Sequence, residues 1–156
     1  FEYTSLLNLE KELPEGITHV DINKAKVRRQ GKDISIFTYG TGVYKALTAA
    51  DELSEAGIDA EVIDLRVLRP LDEESIVASV AKTNRAFIVE DASRSVSISS
   101  EVSARIMEKC FYDLDAPVQR LCGAEVPIPY PKHLEDAAVP QSHQIVSAIK
   151  SLLQHA

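Results

Sequence analysis

The stretch Asp33–Leu65 constrains the fold more than any other part of the chain. It opens with an apolar run, Ile34-Ser35-Ile36-Phe37-Thr38-Tyr39, followed by Gly40-Thr41-Gly42. Val43, Ala46, Leu47, Ala50 and Leu53 then recur at helical spacing and make one apolar face. Gly57 stands where a helix end takes a left-handed residue, and a second apolar run, Ala60 to Leu65, closes the unit. The first run is too short and too rich in β-formers for a buried helix. Strand, helix and strand over about 30 residues make a βαβ unit, whose crossover leaves the two strands parallel. Both strands are nearly continuous apolar runs, as a sheet covered by helices on both faces demands. Ile34–Tyr39 is therefore expected at the centre of the sheet.

The rest of the chain adds outward. Lys24-Ala25-Lys26-Val27-Arg28-Arg29 precedes the unit. Four basic residues in six could form an anion site, but charge of this kind also protects a short edge strand, and that reading is preferred. After the unit, Pro70 fixes a loop exit and Asp72 is a good N-cap, with Glu73 and Glu74 at the positive end of a helix dipole. Ile76, Val77, Val80 and Ala81 give this helix its inward face, and Asn84 lies near its end. Ala86–Val89 reads as a third parallel strand ending in Glu90-Asp91. A serine-rich loop, Ser93 to Ser100, leads to a helix with Val102, Ile106, Met107 and Cys110 inward. Pro117–Cys122 is a fourth parallel strand. Three prolines exclude Val126–Pro131 from any central strand, leaving an extended loop. A last helix after Pro140 carries Ile145, Val146, Ile149, Leu152 and Leu153 on one face. The expected fold is a three-layer α/β/α sandwich with a mostly parallel sheet.

Residues 1–23 have little periodicity, with turn chemistry at Leu13-Pro14-Glu15-Gly16, and read as an arm or linker from an upstream domain; residues 24–156 make one domain. The only methionine is Met107, so the chain is expected to be a processed or cut piece of a longer one. A net charge of −7 argues against a nucleic-acid surface, and no apolar stretch is long enough to span a membrane. The two cysteines, Cys110 and Cys122, fall in a helix and a strand and are expected to be buried thiols. An intracellular compartment follows.

Ligands of open parallel sheets bind beyond the carboxyl ends of the strands. Three features there are candidates. Gly40-Thr41-Gly42 could cradle a phosphate, but it lacks the third glycine of a dinucleotide loop and the lysine of a P-loop, so it reads as a tight turn. Glu90-Asp91 could be an acid pair, but adjacent residues of a strand face opposite ways. Arg66 and Arg69 flank a strand exit, where they could hold an anion or pair with carboxylates across a subunit interface. His19, His133, His143 and His155 lack metal-ligand spacing and are expected in surface or capping roles. No nucleophile arrangement stands out.

Several longer segments carry a family resemblance. Val62–Asp72 (VIDLRVLRPLD), Ser79–Arg85 (SVAKTNR), Val89-Glu90, Leu114-Asp115-Ala116-Pro117 and Val126–Pro131 (VPIPYP) resemble the transketolase C-terminal domain. Within it they resemble the beta subunit of the thiamine-dependent decarboxylase component of 2-oxo acid dehydrogenase complexes, pyruvate dehydrogenase above all. The similarity runs over roughly residues 20–153.

The resemblance implies a five-stranded sheet with one antiparallel edge strand near Lys24–Arg28. It implies a C-terminal half whose whole enzyme decarboxylates a 2-oxo acid on thiamine diphosphate and magnesium and acylates a lipoyl group. The diphosphate motif and the activating glutamate belong to other parts of that enzyme. No catalytic, cofactor or metal residue is carried over, and Glu90, Glu101 and Glu125 are not assigned such a role. The domain is instead expected to assemble, with the alpha subunit, a second beta subunit and the peripheral subunit-binding domain of the acyltransferase core as partners. Asp115 matches a docking position of the family, and Asp113 neighbours it; Asp115 could equally cap the turn into Pro117. Localisation would be cytoplasmic in a bacterium, and the mitochondrial matrix or a plastid in a eukaryote. Ser95–Ser100 departs from the glycine-rich family loop, because Val96 and Ile98 disfavour left-handed backbone. Two other readings stay open: a self-sufficient ligand-binding or regulatory α/β module, and the equivalent domain of a transketolase or deoxyxylulose phosphate synthase.

Overall fold

The structure is a computed structural model that describes residues 3, 6, 7, 9, 10, 12, 15, 16 and 19–154. Leu13, Pro14 and His155 of the expectations above lie outside the described residues, as do parts of the 1–23 arm. The elements run β1 (Lys26–Arg29), β2 (Ile34–Thr38), α1 (Gly42–Glu55), β3 (Ala60–Asp64), α2 (Glu73–Thr83) and β4 (Ala86–Ser93). They continue as α3 (Ile98–Cys110), a 3-10 turn (Phe111–Asp113), β5 (Gln119–Gly123), α4 (Lys132–Ala138) and α5 (Ser142–Gln154).

The sheet order is β1-β3-β2-β4-β5, so β2 is central as its uninterrupted apolar run requires. β2 pairs in parallel with β3 and β4, and β4 with β5, while β1 pairs antiparallel with β3. Alternation along the strands divides the core in two. Ile34, Ile36, Val62, Phe87 and Val89 pack beneath α1 and α5, against Ala46, Ala50, Leu53, Ile145 and Ile149. Phe37, Ile63 and Ile88 point the other way, against Ile76 and Val80 of α2 and Val102 and Ile106 of α3. The basic lead-in is an edge strand whose charges are largely matched within the chain. Lys24 pairs with Glu74 and Asp72, Arg28 with Asp64, and Arg29 with Asp51 and Asp59.

Local chemistry sets the element ends. Gly57 takes φ +79° after α1, and Asn84 takes φ +58° after α2, the two residue types that adopt left-handed backbone most readily. Asp72 caps α2 by accepting the Ser75 amide at 3.2 Å and the Ser75 hydroxyl at 2.6 Å. It also accepts the Ala25 amide at 2.9 Å, which ties the lead-in of β1 to the start of α2.

Four expectations need correction. Ala81 is exposed, and Ser79 and Thr83 turn inward on α2 instead. They do so because β2 and β3 bury polar partners there. Ser35 Oγ lies 2.6 Å from Ser79 Oγ and 2.7 Å from Thr83 Oγ1. Ser79 donates to Glu61 Oε1 at 2.6 Å, and Glu61, only 1% exposed, takes Lys82 on its other oxygen. Met107 is 40% exposed, since the inward stripe of α3 follows Val102, Ile106 and Cys110 at i, i+4 spacing and leaves it aside. Cys122 is only half-buried, because β5 is an edge strand. The serine-rich loop is shorter than expected, as β4 runs to Ser93 and α3 begins at Ile98. A glutamate within β4 accounts for the start of α3, since Glu90 accepts the amides of Ile98 at 3.3 Å and Ser99 at 2.9 Å. In addition, α4 lies in residues 132–138, a stretch to which no element was assigned.

Candidate functional site

The sheet presents two distinct ends. Beyond the carboxyl ends of β2, β3 and β4 lies a crevice of about 1090 Å³. Tyr39 and Glu90 face each other across it, because Phe37 and Ile88 before them already point to the α2/α3 side. The Tyr39 hydroxyl donates to Glu90 Oε1 at 2.6 Å. Burial, and then this contact with the Glu90 carboxylate, push the Tyr39 phenol far above its ordinary value and hold it neutral. One residue on, Asp91 faces the opposite layer, where it accepts from Thr41 and from Lys45 at 3.0 Å. Glu90 and Asp91 therefore serve separate layers and do not form an acid pair. Their buried partners make both structural ties between β4 and a helix.

Other candidates at this end behave as follows. At the Gly40–Gly42 turn the Gly42 amide donates to the Tyr39 carbonyl at 3.2 Å, and the next amide, Val43, donates to the Gly40 carbonyl at 3.3 Å. Arg66 adopts φ +57°, and its amide donates to Asp64 Oδ1 at 3.1 Å. Arg69 is exposed at the crevice rim. Neither guanidinium has a hydrogen-bond or ion-pair partner among the described residues. Glu101 pairs with Arg105 at 2.8 Å, and Glu125 accepts the Ser95 amide at 2.9 Å. Val96 does adopt left-handed backbone, at φ +54°, with its side chain in solvent. The serine-rich loop thus keeps the conformation a glycine would favour, at a cost of about 1–3 kcal/mol for a β-branched residue. His133 and His143 are exposed.

The opposite end, before β4 and β5, carries Asp113 and Asp115. Asp115 is about half exposed, and its carboxylate lies 3.3 Å from Arg85. Its amide donates to the Asn84 carbonyl at 2.8 Å, and the Asp113 carbonyl accepts the Asn84 side-chain amide at 2.7 Å. The left-handed cap of α2 and the turn into β5 are thereby fastened together with both carboxylates outward-lying and accessible. A groove of about 650 Å³ borders Asp115, lined by Met107, Phe111, Tyr112, Leu114 and Pro117. Phe111 and Tyr112 contact edge to face at 5.2 Å and are both exposed. The structure brings Asp113 and Asp115 together and sets Arg66 and Arg69 at the far end of the sheet.

Two features escaped the sequence reading. One is the Tyr39–Glu90 bridge, which the alternation of the two strands does place on one face once their adjacency is known. The other is Tyr3, which lines the crevice although it lies far from these residues in the chain.

The family model for the transketolase C-terminal domain matches residues 23–145. The mitochondrial pyruvate dehydrogenase E1 component subunit beta of Dictyostelium discoideum is 47% identical over 135 residues, covering 86% of this chain and 38% of that protein. The pyruvate dehydrogenase E1 component subunit beta of Porphyra purpurea is 44% identical over 153 residues, covering 98% of this chain and 46% of that one. The acetoin:2,6-dichlorophenolindophenol oxidoreductase subunit beta of Bacillus subtilis is 40% identical over 153 residues, covering 98% and 45%. The chain thus spans less than half the length of these relatives. Among solved structures, a split gene transketolase described as an inactive beta4 tetramer superimposes with TM-score 0.77 at 26% identity, covering 92% of this chain and 46% of that one.

Proposed function

The chain belongs to the transketolase C-terminal domain family, and from that premise we propose that it is the assembly and partner-docking domain of a decarboxylase beta subunit. The parent enzyme is read as a thiamine diphosphate-dependent 2-oxo acid dehydrogenase component that decarboxylates pyruvate and passes the acyl group to a lipoyl arm. Identity of 44–47% with two pyruvate dehydrogenase beta subunits is the observation that carries this reading.

Thiamine diphosphate and magnesium do not fit the residues present. Among the described residues no three His, Cys, Asp or Glu side chains gather as metal ligands. The glycine turn at the start of α1 already uses its Gly42 amide within the chain. In this reading the cofactor belongs to other parts of the enzyme, and the chain by itself has no activity. Its work is to hold partners: an alpha subunit, a second beta subunit and the peripheral subunit-binding domain of an acyltransferase core. Arg66 and Arg69 suit carboxylates of a neighbouring subunit, since a planar guanidinium pairs well at interfaces. Asp115, with Asp113 beside it, suits a basic docking partner, which acidic side chains steer and orient. Residues 1–23 would then link this domain, residues 24–156, to an upstream one. No helix among the described residues is long and apolar enough to cross a membrane. Relatives include subunits named as mitochondrial, which supports a mitochondrial location if the source is a eukaryote; for a bacterial source the reading is cytoplasmic.

Calorimetric titration with a peripheral subunit-binding domain tests the docking role, using the assembled alpha and beta subunits. Binding should weaken with salt, and Asp115→Asn should weaken it roughly tenfold, about 1.4 kcal/mol. Unchanged affinity in the Asp115→Asn assembly would remove Asp115 from the docking site.

A further inference from the structure

The ends of β2 and β4 form the switch point of the sheet. From β2 the chain turns to β3 through α1, and from β4 it turns the other way, to β5 through α3. In open parallel sheets such a point opens a crevice in which ligands bind. Here a side chain of the protein, Tyr3, forms part of its wall. The Tyr3 ring lies against Gly40, so closely that a Cβ on residue 40 would come within 2.3 Å of Tyr3 Cε2. Gly40 also holds φ +58°, so both the backbone and the ring require glycine at this position.

The surroundings match a phenol. Leu68, Pro70 and Ile98 supply apolar wall, while Tyr39 and Glu90 supply polar groups at the base. An aromatic body with one polar tip suits such a lining. Burial raises the Tyr3 phenol above its ordinary value, with Asp91 and Glu90 adding to the effect and the Tyr39 hydroxyl opposing it. Tyr3 is thus neutral in place, as a group beside two carboxylates should be.

We infer that the Gly40 side of the switch-point crevice is a docking socket for the chain's own Tyr3, which anchors the segment before β1 there and leaves the rest of the crevice open. The socket fixes where Tyr3 meets the domain, at the carboxyl ends of the strands. It also withholds the Gly40 side of the crevice from soluble phenols.

The test is nuclear magnetic resonance of the whole chain, read at the Gly40 amide and α-protons. The Tyr3 ring current should displace these signals. Tyr3→Ala should abolish the displacement and Tyr3→Phe should keep it, with the amide signals of Ile34–Phe37 unchanged in both as a check on folding. Added p-cresol should then shift Gly40 saturably in the Tyr3→Ala chain and leave the natural chain unaffected. Gly40 signals indifferent to Tyr3→Ala would overturn the inference. So would p-cresol shifting both chains alike, which marks an open site, or shifting neither, which marks no phenol socket.

Discussion

Replacing Lys82 by methionine tests the buried polar layer under α2. Lys82 holds one oxygen of Glu61, which is 1% exposed in the middle strand pair, while Ser79 holds the other. Lys82→Met keeps length and apolar stem but leaves the carboxylate with only a hydroxyl partner. Removing one member of a buried pair costs about 3–5 kcal/mol. The Lys82 side chain is 40% exposed, so water already screens part of the attraction and can partly reach the orphaned oxygen. The expected loss is therefore on the low side, about 2 kcal/mol. In a chain of this size that lowers the melting temperature by about 4–8 °C. Adding Glu61→Gln removes the uncompensated charge while the amide oxygen still accepts from Ser79. The double variant should recover more than half of the loss. Urea unfolding of the four chains in the cycle measures this. A loss below about 0.5 kcal/mol for Lys82→Met, the level of an ordinary surface change, would refute the reasoning. Strict additivity of the two substitutions would refute it too, since it would mean the groups do not interact.

Two further expectations concern titration and thiol reactivity. Burial alone would raise the Asp72 carboxyl, but the Ser75 hydroxyl, the Ala25 and Ser75 amides and Lys24 together hold it below its ordinary value. A lowered folded value stabilises above the unfolded range and is lost as pH falls through the folded one. Urea midpoints at about pH 6 and about pH 3 should therefore differ less in Asp72→Asn, which keeps a capping oxygen, than in the natural chain. Equal differences in both chains would exclude Asp72 as a source of acid sensitivity. For the cysteines, burial and then Asp113 push the Cys110 thiol up, whereas Cys122 is half-exposed on an edge strand. A thiol reagent should label one site quickly in the folded chain, and Cys122→Ser should abolish that phase while Cys110→Ser leaves it intact.

The layer order, the central strand and every strand of the sheet were legible because their signals are local. Ile34–Thr38 is an unbroken apolar run, and Gly57, Asp72 and Asn84 punctuate the helices with residues whose backbone preferences are strong. What escaped depends on contacts between distant segments. Ala81 looked inward by hydrophobicity alone, yet Ser79 and Thr83 hold that face because Ser35 and Glu61 await them on neighbouring strands. The start of α3 moved because a carboxylate from β4 caps it, a tie between Glu90 and Ser99 that no local pattern encodes. The helix Lys132–Ala138 is too short to show a period. At the candidate sites, Asp115 was singled out through a four-residue motif, and its accessibility came only with the structure. Tyr3 could not be placed at all, since nothing near it in the chain marks where its ring will rest.

The Asp113–Asp115 corner and the switch-point crevice stand at opposite poles of one rigid sheet. Five-residue strands of this kind span about 17 Å. A basic partner seated at one pole and a tethering tyrosine at the other would therefore never touch. The domain is in that sense a double-ended coupling, able to be gripped from both sides at once. Each grip could strengthen or weaken over evolutionary time without disturbing the other, because substitutions so far apart add rather than interact.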